Sequence, residues 1–281
     1  MSKWPTAQLR WCKLVLANLK SRLITAAIGI PLLILLIGWA EYWLFALIFL
    51  IITAVALGEY FTIVFPDRAA ERFAGAVFGL LISVVLVLPI ANRELLFSLI
   101  VVLYFCLHLL LRGDLQARLR GLAWSILGGL YLGLLLPHWI LLFGLPRGRA
   151  WVSFVIIVIM AGDSAAYFGG RYWGRRKLAP ELSPGKTVEG ALAYIGGSIV
   201  AAVVGNYLLL LKLSAFEAAA LAFCLSILGQ FGDLFESWIK RVFAVKDSGS
   251  LLPGHGGLLD RLDSLIFPAV FTTAYVKVFH P

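Results

Sequence analysis

The chain has 281 residues, 61% of them hydrophobic and 14% charged, with 24 Lys and Arg against 15 Asp and Glu for a net charge of +9. Soluble domains are about 45–50% apolar and about 25% charged, so a water-soluble fold is excluded, and the basic excess belongs to a membrane face and not to nucleic acid. The three cysteines and four histidines have no paired or metal-ligand spacing, which argues against a disulfide framework and a zinc site.

Lys3, Arg10, Lys13, Lys20 and Arg22 precede the first apolar run, as in the n-region of a secretory signal. That run ends at Trp39-Ala40-Glu41-Tyr42, with no small-residue cleavage site, and a second apolar stretch begins at once. An uncleaved first span is therefore expected. A helix needs about 20 apolar residues to cross a hydrocarbon core of about 30 Å. On that basis nine spans are predicted, at 22–38, 42–64, 73–91, 95–111, 122–143, 150–168, 190–211, 215–234 and 264–279. Their apolar character is continuous all round, which in a bilayer means helices. The expected fold is an all-α, polytopic integral membrane bundle, with residues 1–120 as supporting helices and 121–281 as the catalytic region.

Positive charge accumulates in cytoplasmic loops. With the N-terminus inside, nineteen of the Lys and Arg fall on the inner side, and only Arg93, Arg147, Arg149, Lys212 and Lys277 fall outside. This orientation places the protein in an inner, cell membrane, with the C-terminus outside. The two long inner loops, 169–189 and 235–263, carry nearly all the polar chemistry.

The first polar block begins at Asp163, a carboxylate at membrane depth and so a functional candidate. It continues through Gly169-Gly170-Arg171 to Ser183-Pro184-Gly185-Lys186-Thr187-Val188-Glu189-Gly190. Gly185-Lys186-Thr187 is not a P-loop, because Pro180 stands where that motif needs glycine. A lysine, a threonine hydroxyl and the N-terminus of the next helix are still parts that hold phosphate oxygens.

The second block places Asp233, Glu236, Ser237 and Lys240 at i, i+3, i+4 and i+7, on one helical face. Asp260 and Asp263 share a face in the same way, after Pro253-Gly254-His255-Gly256-Gly257. Oxygen-only carboxylate clusters suit Mg²⁺, which takes one or two carboxylates and completes its shell with phosphate and water. His255 is either a phosphate hydrogen-bond donor or a loop-packing residue.

The stretch Ser237 to Asp263 reads S-x-I-K-R-x4-K-D-x-G-x2-L-P-x-H-G-G-L-x-D-R-L-D. It resembles the signature of the phosphatidate cytidylyltransferase family, without departure, and D-S-A-A-Y-F-G-G-R with S-P-G-K-T-x-E-G resembles that family's second recurring region. The specific match covers residues 160–265. The resemblance implies a Mg²⁺-dependent membrane enzyme that converts CTP and phosphatidic acid to CDP-diacylglycerol, with a second, monovalent cation and a homodimer both left open. By motif position it implies Asp233, Asp260 and Asp263 as metal carboxylates and Asp260, Asp233 and Lys186 as the catalytic set. Asp163, Arg171, Ser183, Thr187, Glu189, Lys240, Lys246, His255 and Arg261 become the substrate-binding positions.

The chemistry is consistent with this. The second pKa of a phosphomonoester is about 6, so the attacking oxygen is already ionised and no strong base or covalent nucleophile is required. Two other readings compete. A cation-coupled transporter would also place carboxylates in the membrane, but the chain shows no internal repeat. A CTP-dependent polyprenol kinase, or another CDP-lipid synthase, would use a similar site on different groups.

Overall fold

A computed structural model describes residues 27, 29–110, 114–251 and 256–280. A short apolar helix, α1 (Gly29–Trp39), comes first, and residues 22–26 and 28 of the predicted first span lie outside the described residues. Next come α2 (Tyr42–Val64), α3 (Ala69–Val87), α4 (Arg93–Leu110) and α5 (Leu115–Gly128). A π-helical turn, Gly129–Leu134, leads from α5 to α6 (His138–Phe143), so that Leu115–Phe143 makes one membrane-length unit. The second half comprises α7 (Gly148–Trp173), β1 (Lys177–Ala179), β2 (Ser183–Thr187), α8 (Val188–Leu208), α9 (Ala215–Val242) and α10 (Leu259–Phe279). Among the described residues, eight helices are long and apolar enough to cross a membrane, in keeping with a polytopic helical membrane protein.

Local chemistry sets the helix starts. Asp114 accepts the amide of Ala117 at 2.8 Å to open α5, and Ser214 forms a capping box with Glu217 to open α9. Thr187 closes the hairpin and caps α8, its hydroxyl accepting from Gly190 N at 3.1 Å. The continuous core runs through Phe45, Leu57, Phe61, Leu132, Trp139, Val155 and Leu225. Leu32, Trp43, Leu103, Leu109, Val204 and Phe216 point outward, as lipid-facing side chains do.

Small residues let helices approach closely. A Cβ on Gly133 would lie 2.4 Å from the carbonyl oxygen of Gly79, so the π-helical turn rests directly on the backbone of α3. Ser83 ties the two together, donating to Gly133 O at 2.7 Å and Gly79 O at 3.0 Å. At one end of the bundle, Arg149 donates to the carbonyls of Gly38 and Ala40, both at 2.8 Å. The opposite end collects the last turns of α2, α7 and α9, the hairpin, and the start of α10.

One expectation is corrected. The long inner loops are shorter than hydropathy suggests, because α7 runs to Trp173, α9 runs to Val242 and α10 starts at Leu259. Loss of apolar character marks the edge of the lipid, but side-chain pairs one turn apart let a helix continue beyond it. The all-α expectation holds, with one small antiparallel hairpin beside the helices. The hairpin pairs Lys177 with Thr187 and Ala179 with Ser183, and the Lys177 ammonium donates to Pro184 O at 2.7 Å.

Candidate active site

A cavity of about 580 Å³ lies between α7, α8, α9 and the hairpin. Asp163, Arg171, Lys186, Thr187 and Asp233 line it, together with Tyr194 and Gln230. The two polar sequence blocks therefore meet in one wall. Lys186 Nζ lies 2.8 Å from Asp233 Oδ2, joining hairpin to α9. Asp163 is within electrostatic reach of Asp233, Lys186 and Arg261. Arg171 is oriented from its own helix, donating to Tyr167 Oη at 2.9 Å. Tyr194 is 3% exposed and its hydroxyl has no hydrogen-bond partner among the described residues, although it borders this polar space.

Further along α9 a second cluster forms around Lys240. Its ammonium is 2.5 Å from Glu236 Oε2 and 2.7 Å from Asp260 Oδ1, bridging α9 to α10. Asp260 Oδ2 accepts the amides of Gly257 at 2.8 Å and Ser248 at 2.9 Å. Glu236 is 1% exposed, so its charge is held inside the bundle by Lys240; a buried pair of this kind is costly unless its geometry is good. Asp263 is buried one turn beyond Asp260, accepts Ser264 N at 2.7 Å, and is close enough to Asp233 and Glu236 to feel both charges.

The predicted face of α9 is real: Asp233 points to the cavity, Ser237 donates to it at 3.4 Å, and Lys240 reaches Asp260. Other positions are less direct. Glu189 does not line the cavity; its carboxylate accepts the amides of Arg175 at 2.9 Å and Arg176 at 3.2 Å, holding the turn after α7. Ser183 sits in β2 opposite Ala179, and Lys246 and Arg261 are exposed at the same end of the bundle. His255 lies outside the described residues.

The structure gives Asp233, Asp260 and Asp263 separate contacts. Among the described residues, no group of three or more His, Cys, Asp or Glu side chains is placed to hold a metal ion. Lys186 pairs with Asp233, Lys240 and two backbone amides hold Asp260, and Asp263 accepts the amide of Ser264. Asp163 and Asp233 both line the cavity, where their carboxylate oxygens border the same space.

Glu59, on α2, meets the Asp260 segment and is not singled out by the sequence motifs. It accepts the amides of Leu258 at 2.9 Å and Leu259 at 2.8 Å, at the start of α10. A lone carboxylate in an apolar helix is the signal that points to it.

A model of the cytidylyltransferase family matches residues 20–279. Phosphatidate cytidylyltransferase of Brucella suis biovar 1 (strain 1330) is 34% identical over 271 residues, covering 94% of this chain and 95% of that protein. The phosphatidate cytidylyltransferase of Synechocystis sp. (strain ATCC 27184 / PCC 6803 / Kazusa) is 32% identical over 292 residues, covering 92% and 97%. That of Bacillus subtilis (strain 168) is 40% identical over 157 residues, covering 54% and 57%. The similarity runs through both polar blocks and the helices that carry them, and the chain belongs to the cytidylyltransferase family.

Proposed function

We propose that this protein joins CTP to phosphatidic acid, releasing pyrophosphate and leaving CDP-diacylglycerol in the bilayer. The observation that carries the reading is the cavity, which sets Lys186 and Arg171 beside Asp163 and Asp233 in a wall of membrane-length helices. Cations there suit the phosphates of both substrates, and the surrounding helices suit the diacylglycerol.

An ionised phosphatidate oxygen attacks the α-phosphorus of CTP. A new P–O bond forms, the bond from the α-phosphorus to the oxygen bridging it to the β-phosphorus breaks, and pyrophosphate leaves with that oxygen. Lys186, Arg171 and the amide end of α8 bind and orient the phosphates. Lys240 and the exposed Lys246 and Arg261, at the same end of the bundle, supply further positive charge. Mg²⁺ bound by Asp233 and Asp163 would neutralise charge on the phosphates during transfer. Positioning and electrostatics carry such reactions, so no covalent enzyme intermediate is expected. The basic distribution supports a cytoplasmic active site in the cell's inner membrane.

The test uses purified protein in detergent with phosphatidic acid, Mg²⁺ and CTP labelled in cytidine. Label should enter extractable lipid in step with pyrophosphate release. Transfer of the γ-phosphate with release of CDP would favour the kinase reading, and consumption of neither substrate would refute both.

A further inference from the structure

Glu59 stands near the end of α2, in a helix that is otherwise almost wholly apolar, and its carboxylate is fully engaged by a distant part of the chain. One oxygen accepts Leu258 N at 2.9 Å, and the other accepts Leu259 N at 2.8 Å and Ser248 Oγ at 3.0 Å. The first amides of a helix have no partner within it, and a negative charge there also faces the positive end of the helix dipole. Glu59 thus satisfies the start of α10 from another helix.

Ser248 links this contact to Asp260. Its amide donates to Asp260 Oδ2 at 2.9 Å, and its hydroxyl accepts Asp260 N at 3.3 Å while donating to Glu59. Glu59 and Asp260 therefore grip the same residue from two sides, and the other oxygen of Asp260 is the one that meets Lys240. Glycines make the room. A Cβ on Gly257 would lie 2.6 Å from Glu59 Oε2, and one on Gly249 would lie 2.8 Å from Glu59 Oε1. A carboxylate at membrane depth is expensive, and this one sits in a cradle shaped to receive it.

We propose that Glu59 is a positioning residue for nucleotidyl transfer, holding Ser248 and the first turn of α10 so that Asp260 and Lys240 keep their places two turns along α9 from Asp233. It does not line the cavity and acts through that segment. The proposal rests on the transferase reading. Its rival is a purely structural role, which would change stability and yield but not the rate per folded molecule.

The experiment compares wild type, Glu59→Gln, Ser248→Ala and the double variant, each purified in detergent. It measures kcat, KM for both substrates and hydrogen–deuterium exchange across the chain. Glu59→Gln should lower kcat by about 10- to 100-fold, as small misplacements of reacting groups do, with KM for phosphatidic acid within about threefold of wild type. Exchange should rise at the amides of 256–260 and stay level in α3 to α8. Ser248→Ala should act in the same direction, and the double variant should lose no more than Glu59→Gln alone, because both act through one segment. If Glu59→Gln does not fold, Ser248→Ala carries the same two readouts. A kcat within about twofold of wild type, or faster exchange spread over the whole bundle, overturns the proposal. A wild-type protein that puts no cytidine label into lipid sinks the transfer reading instead, and the exchange comparison then decides alone whether Glu59 holds this segment.

Discussion

Lys186 Nζ and Asp233 Oδ2 stand 2.8 Å apart in the cavity wall, one delivered by the hairpin and the other by α9. An ion pair of opposite charges satisfies itself without substrate, so it could serve structure alone. Its position argues for more, because both groups border the space where phosphates would sit. In the substrate complex the ammonium would turn to a phosphate and leave the carboxylate open.

Lys186→Ala should therefore lower kcat/KM for CTP by about 100-fold, roughly 2.7 kcal/mol of lost transition-state binding. Steady-state kinetics at varied CTP will read it. The exchanged pair, Lys186→Asp with Asp233→Lys, separates the two roles. A structural pair would regain activity on exchange; a pair that meets substrate and cation would not, and we expect no recovery.

Asp260→Asn should reduce turnover by about a thousandfold or more, roughly 4 kcal/mol, while leaving the protein extractable and monodisperse. The amide cannot accept from Lys240 and two backbone amides as the carboxylate does. Near-normal turnover in cytidine incorporation would remove Asp260 from the reaction.

Removal of divalent metal should stop the reaction. EDTA-treated enzyme is expected to put no label into lipid, and added Mg²⁺ should restore it. Activity that persists in chelator would remove Mg²⁺ from the mechanism and leave Lys186 and Arg171 as the phosphate-binding charges of the cavity.

Gly133→Leu should destabilise the bundle without touching the site. Its Cβ would meet backbone at Gly79, which cannot yield as a side-chain end can. Overpacking of this kind costs about 1–3 kcal/mol, to be read as a fall of several degrees in the thermal midpoint in detergent. Gly196→Ala is the control, since nothing lies within 4 Å of its added carbon, and it should be neutral.

Orientation is open to direct labelling. Lys246 and Lys212 are both exposed and lie at opposite ends of the bundle. In a background with Cys12, Cys106 and Cys224 replaced by alanine, Lys246→Cys should react with an impermeant thiol reagent only from the cytoplasmic side, and Lys212→Cys only from the other. The reverse pattern would invert the topology.

Much of this protein is legible in its sequence, and the particular successes have a common cause. Continuous apolar runs report transfer into lipid, a local property, so α2 to α10 fall near the predicted spans. The face formed by Asp233, Ser237 and Lys240 follows from the helical period alone. Where local rules conflict, the reading loses precision: α7, α9 and α10 continue past the lipid edge because polar side chains end burial in lipid without ending a helix.

Composition and local pattern by themselves determined the membrane class, the helices and the two blocks where polar residues collect. Which of those residues meet was decided by packing. Lys186 on the hairpin reaches Asp233 on α9, and Glu59 reaches Leu259 across 200 positions of the chain. Likewise Asp233 meets Lys186 on the hairpin, while Asp260 meets Lys240 on α9 and the amides of Ser248 and Gly257. The reason is physical: periodicity specifies a direction on one helix, whereas a long-range pair depends on how close small residues such as Gly133, Gly249 and Gly257 allow separate backbones and side chains to come.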